Sequence, residues 1–434
     1  MSSFKIISSI LLFAFWQTSS ANTFKTENWV TSNGVHVVLY QAMEVPMLDI
    51  SLAFAAGSAY DQKQYGLSAL TAQMLNEGSS GINSTALAEE LANTGAQFDT
   101  STNRDMAVFN LRTLTSKDTL TQATSTFAQI INHPDFPNDA LEREKKQFLM
   151  AIMQANDSPD ELATQTFFQN LYQNHPYAHP VNGTETSIQK ISRQDIIRFY
   201  KEYYLANNAT LIFVGAIDTH AAHQLADKLT HELPQGKAAA PLIKATSLIT
   251  AKQIHLPFPS SQTIIRLGQL GIDHKNPNYF PLMVGNYILG GGSLISKLAL
   301  EVREKQGLSY SIDSQFVPMP GPGPFLITLS TKNKQAKEAV GLTEDILKHY
   351  IATGPNQQEL DAAKNYLTGS FPLSLASNRS IASLLLRMNF YHLPSNYLDT
   401  YLDHINKVTA EEIKRAFQQE VHPEKLLQVT VGRS

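Results

Sequence analysis

Apolar and polar positions along this chain alternate with two periods, and the alternation predicts most of its elements. In the first half, short apolar runs at 34–40, 48–55 and 106–112 predict strands, and helical spacing marks 66–76, 84–94, 116–132 and 137–155. In the second half the same reading gives strands at 262–270, 308–317 and 324–331, and helices at 277–289, 294–305, 334–352 and 356–368.

The pattern repeats. SRQDIIRFYKEYYLANNATLIFVG (192–215) superposes without a gap on TAEEIKRAFQQEVHPEKLLQVTVG (409–432), at an offset of 217. Ser192 meets Thr409, Asp195 meets Glu412, Arg198 meets Arg415, and Val214-Gly215 meets Val431-Gly432. Each copy opens on a capping box, continues as an amphipathic helix and ends in an apolar strand. A gapless repeat of that composite unit is the mark of duplication. The fold class expected is therefore α+β, with two homologous domains, each a mixed sheet packed with helices. The segment 233–250, ELPQGKAAAPLIKATSLI, loses periodicity and places the boundary: a first domain over 22–235, a linker over 236–250 and a second domain over 251–434.

Residues 1–21 interrupt this picture. Lys5 precedes an apolar run from Ile6 to Trp16, and Ser19 and Ala21 follow in small-x-small spacing. That is the form of a signal peptide, too short in its apolar part to span a bilayer, and it predicts export. An exported chain with no cysteine fits a bacterial periplasm better than a eukaryotic secretory route.

Composition then removes whole classes of chemistry. With 0 Cys there is no disulfide scaffold, thiolate metal site or cysteine nucleophile. With 34 basic against 38 acidic residues, the net charge of −4 offers no field for nucleic acid. Neither HExxH nor HxxEH occurs, nor a G-x-S-x-G elbow, nor a phosphate loop. His175 and His179 flank Pro176 and read as a loop with aromatic packing, whereas His220 and His223 read as a solvated helix face. Gly290, Gly291 and Gly292 read as a flexible turn between helices.

Longer phrases carry a resemblance. GLSALTAQMLNEG (66–78), NHPYAHPVNGTETSIQKIS (174–192), LGQLGI with NYFPLMVGNYILGGGSLISKLALEVREKQGLSYSI (267–312), and AAKNYLTGSFPLSL (362–375) together resemble the pitrilysin/insulinase family of zinc peptidases. The resemblance implies half of a clamshell peptidase, with zinc held by His-x-x-Glu-His on the first helix and by a Glu on a later one. Here the matching positions are Ala69, Ala72 and Gln73; with Glu144 set on the family's upstream acid, the third ligand position is Ala151. None of the three alanines has a donor atom, an amide is a poor zinc ligand, and the general base is gone. The resemblance thus implies a non-catalytic member that binds no cofactor itself.

What the resemblance retains is Arg303 and Tyr310 in VREKQGLSY, matching an Arg/Tyr pair that donates hydrogen bonds to a substrate carbonyl. Read alone, Arg303 is one charge in an exposed run and Tyr310 a strand aromatic. The resemblance further implies a heterodimer, with zinc in a homologous partner carrying HxxEH, peptide substrates, and a substrate-facing role for Gly290–Gly292. It matches Leu52–Ala59, with Ala55 at its centre, to a substrate-pairing edge. The competing expectation is a stand-alone peptide-binding or scaffold protein without proteolytic role.

Overall fold

The computed structural model describes residues 24–433; the signal-peptide segment 1–21 lies outside the described residues. Two large sheets dominate. The first runs in the order Thr26–Val30, His36–Gln41, Ala209–Gly215, Met47–Phe54, Ala107–Leu114, Gln97–Thr102. The second runs Ser311–Phe316, Pro324–Lys332, Gln262–Leu270, Leu427–Gly432, Lys252–Pro257. Each contains a single parallel pair. In each it joins the repeated terminal strand, Ala209–Gly215 or Leu427–Gly432, to an early strand of its own half. The capping boxes form at both copies, Ser192 with Asp195 and Thr409 with Glu412, opening the helices Arg193–Tyr203 and Ala410–Glu420.

Both faces of the sheets are buried, which explains why their central strands read as unbroken apolar runs. In the first sheet Leu39, Leu52, Phe54, Leu211 and Phe213 face a core shared with that half's own helices. The alternate residues Val38, Ala53, Ile212 and Val214 face Ile381 and Leu385, on the helix Asn378–Phe390 of the other half. The second sheet receives the reciprocal gift. The helix Pro159–Tyr172 lays Ala163, Phe167 and Leu171 against Leu427, Val429 and Val431. Each half therefore lends one helix to the sheet of the other. Between Thr230 and Lys252 no regular element forms. The segment runs extended along the seam, with Leu242, Ala245 and Leu248 packed into the same cluster as Phe167.

Two expected helices are modified. The one expected at 277–289 is α-helical only over Tyr279–Asn286 and then widens into a π-turn at Tyr287–Gly291. The one expected at 294–305 becomes a 3-10 turn, Ser293–Ile295, followed by a second π-helical stretch, Ala299–Lys305. Close packing accounts for the first change: a Cβ at Gly290 would lie 2.6 Å from the backbone nitrogen of Ser314. Gly290 is fixed by an approach that only glycine permits, so the glycine run is a packed turn with Gly291 alone exposed.

Candidate functional site

The degenerate helix, Leu67–Met74, starts from Gly66 in left-handed backbone, φ 90°. Its first turn is held by Asp61, whose two carboxylate oxygens accept the backbone N–H groups of Gly66 and Ser68, each at 2.7 Å. Asp61 is 1% exposed, and burial pushes its pKa up against the pull of those two bonds. The helix that the resemblance matches to the metal helix is thus formed, with its first turn tied down by a buried carboxylate.

Its chemistry is not. Ala69 and Ala72 are buried at 7% and 2% exposure, Gln73 is half-buried, and Ala151 stands exposed on the neighbouring helix Asn138–Asn156. A zinc ion does not fit this donor set: three methyl groups and one neutral amide provide no anionic or imidazole ligand. Among the described residues, no group of three His, Asp or Glu is arranged to hold a metal. Elemental analysis of the purified chain should return far less than one zinc per molecule; a stoichiometric value would refute this.

Glu144 survives seven residues, about two turns, before the lost ligand position Ala151. It is 3% exposed, accepts from the Gln147 amide at 3.2 Å, and lies near the Glu77–Arg143 ion pair. Burial first, and the Glu77 carboxylate second, raise its pKa, while Arg143 lowers it. A raised folded-state pKa means that its favourable contribution is complete below the unfolded value and is lost as pH rises through the folded one. Glu144→Gln, which keeps the acceptor for Gln147, should therefore gain thermal stability relative to wild type between pH 4 and pH 7. A gap in melting temperature that does not widen over that range would count against it.

The histidines are structural. His175 bonds the Ile243 carbonyl through Nε2 at 2.8 Å and accepts the Tyr177 N–H at Nδ1. His179 stacks on Tyr65 at 4.2 Å. His220 and His223 are exposed on the helix Thr219–Thr230, where His223 stacks on Trp29.

Arg303 and Tyr310 come together. The Arg303 guanidinium carbon lies 5.7 Å from the centre of the Tyr310 ring, and Tyr310 is 78% exposed. Arg303 sits in the π-helical stretch, and Tyr310 immediately precedes the edge strand Ser311–Phe316. The widened helix and the chain reversal that includes Gly307, φ 60°, bring the two side chains to one place. The Arg303 Nε lies 3.4 Å from the carboxylate of its exposed neighbour Glu304, and the cation and the phenol together are a donor pair facing solvent.

Ala55 does not sit on a substrate-pairing edge. The strand Met47–Phe54 is central, bonded on one side to Ala107–Leu114 and on the other to Ala209–Gly215. Ala55 follows its end, with its N–H donated to the Asn208 carbonyl, and Ser58–Tyr60 turns into a 3-10 helix. An apolar run does not distinguish a central strand from an edge, and here the doubly buried strand produces it. The edges of this sheet are Thr26–Val30 and Gln97–Thr102.

With this geometry in hand, the similarity to known proteins is specific. Residues 36–185 match "Insulinase (Peptidase family M16)" and residues 190–367 match "Peptidase M16 inactive domain". A Helicobacter pylori protein called "Non-peptidase homolog YmxG" is 31% identical over 397 residues, covering 89% of each chain. The chain belongs to peptidase family M16. A solved structure of the peptidase M16 inactive domain from Pseudomonas fluorescens superposes with a TM-score of 0.91 at 37% identity, covering 94% of this chain and 98% of that one. The probable mitochondrial-processing peptidase subunit beta of Schizosaccharomyces pombe is 25% identical, over 82% of this chain and 80% of its own. Residues 190–367 thus carry the domain type described as inactive, and the first helix, within 36–185, keeps its backbone form without ligand side chains.

Sequence reasoning passed over one polar centre. Asp105, 5% exposed, accepts the Tyr177 hydroxyl at 2.5 Å and the Tyr391 hydroxyl at 2.8 Å, tying the two halves together. Its neighbour Arg104 donates through Nε to the Tyr177 carbonyl and lies 3.8 Å above the Phe168 ring. Nothing in TNRDMAVF gives these partners, which come from residues 72 to 286 positions away.

Proposed function

We propose that this chain is the non-catalytic subunit of a heterodimeric zinc endopeptidase that degrades or processes unfolded peptides. The observation that carries the reading is the pairing of Arg303 with exposed Tyr310 in a chain whose four metal and base positions have no ligand chemistry. In such a dimer, this chain orients the substrate carbonyl and donates to the oxyanion, while zinc belongs to the partner, a homologue with an intact HxxEH. A scaffold has no use for a solvent-facing Arg/Tyr pair. The peptide itself has a natural dock in the edge strand Gln97–Thr102, whose residues alternate outward and inward, and whose free backbone groups can bond an extended chain. In this reading the substrate-facing role of the Gly290–Gly292 turn falls to Gly291, its exposed member. The leader over 1–21 supports a periplasmic site of action. No described helix is long and apolar enough to cross a membrane.

The second reading, a peptide-binding or scaffold protein without proteolytic role, has one specific support: the relative named a non-peptidase homologue. Affinity purification of the tagged chain from its native cell envelope separates the two. A zinc-containing homologue recovered near 1:1 supports the heterodimer. Recovery of this chain alone, without zinc or cleavage of peptides, overturns it in favour of the second reading.

A further inference from the structure

A pocket of about 480 Å³ opens beside Ala151, between the end of the helix Asn138–Asn156 and the start of Pro159–Tyr172. Arg104 lines it. The guanidinium is stacked on Phe168 and donates through Nε to the Tyr177 carbonyl, and the carboxylate that acts on it is that of its neighbour Asp105. The nearest acid, Asp105, spends both oxygens on Tyr177 and Tyr391. Burial lowers the Arg104 pKa, as expected of a cation removed from water without full compensation. A mostly buried guanidinium with unspent planar donors at a pocket wall is the arrangement that recognises carboxylates.

The remaining lining narrows the ligand. Ile152 and Val181 provide apolar wall, Thr164 and Asn182 provide hydrogen-bonding groups, and Glu161 stands exposed at the rim. An acid at the rim opposes a ligand with several negative charges and favours one with a single carboxylate. The pocket also lies where the turn carrying Arg104 continues directly from the edge strand Gln97–Thr102.

We propose that this pocket, left open at the abandoned ligand position Ala151, is a carboxylate-binding subsite in which Arg104 holds the end of a short peptide. The inference rests on the peptide-binding part of the reading above and deepens it: the bound species is an acidic peptide terminus, the form in which cleavage products leave a peptidase.

The test is calorimetric titration of the full chain with an uncharged-side-chain hexapeptide as the free acid, the same peptide as its C-terminal amide, and an amide containing one internal Glu. The free acid should bind roughly tenfold or more tighter than the amide, as a charge-assisted contact predicts. Restored affinity in the Glu-containing amide would support the subsite while making a side-chain carboxylate an accepted source. Arg104→Gln should abolish the discrimination. Because that variant also disturbs the Tyr177 contact, Ala151→Trp, at an exposed position, provides a second block and should weaken free-acid binding without lowering the melting temperature. Equal affinity of acid and amide overturns the subsite and leaves peptide binding standing. Absence of binding by any of the peptides overturns both.

Discussion

In the heterodimer proposed above, Tyr310→Phe should lower peptide cleavage about 100-fold, and Arg303→Ala by a similar factor. Both side chains face solvent: Tyr310 is 78% exposed and the Arg303 side chain 35%. Neither change opens a cavity, so the dimer should assemble with unaltered stoichiometry and melting temperature. Phenylalanine keeps the ring beside Arg303 and removes only the hydroxyl donor. If the hydroxyl acts on the oxyanion, kcat and kcat/KM should fall together, because a donor realised only in the transition state does not contribute to ground-state binding. A rise in KM alone would reassign Tyr310 to substrate positioning. Unchanged turnover in both variants would remove the pair from the reaction.

The second large effect is on stability. Phe167→Ala should cost about 3–5 kcal/mol. Phe167 is fully buried at the seam, where its ring edge would lie 2.9 Å from a Cβ on Gly268. The bare backbone of the second sheet is the floor on which a side chain of the first half rests. Calorimetry should show one unfolding transition in wild type, moved down as a whole in the variant, since the lent helices make the halves mutually dependent. Leu300→Ala, at a 41% exposed position, should move it little. Two separate transitions, only one of them shifted, would refute the coupling.

The central strands were legible as unbroken apolar runs, and the clearest helices were those buried on one side. The helix Arg193–Tyr203 and its copy Ala410–Glu420 show a capping box and a clean apolar stripe because one face is wet. The lent helices Pro159–Tyr172 and Asn378–Phe390 escaped notice for the opposite reason. Phe167 and Phe168 are adjacent, as are Leu384, Leu385 and Leu386, because partners lie on more than one side, and the stripe is blurred. The π-turn at Tyr287–Gly291 depends on a strand 23 residues beyond its end at Gly291, at Ser314, and no local pattern encodes that. At the site, the side chains themselves were legible: three alanines without a donor atom and one neutral amide could be read directly. Proximity was not, and the bond network of Asp105 and the open guanidinium of Arg104 required the fold.

The exchange of helices also sets a timetable for synthesis. The sheet built from residues 26–215 exposes Val38, Ala53, Ile212 and Val214 until residues 378–390 have been made. The greater part of the chain must therefore emerge before either half can close. A polypeptide so constructed keeps an apolar sheet face uncovered while it is still growing, and that face stays open to unwanted apolar contacts until the last helices arrive.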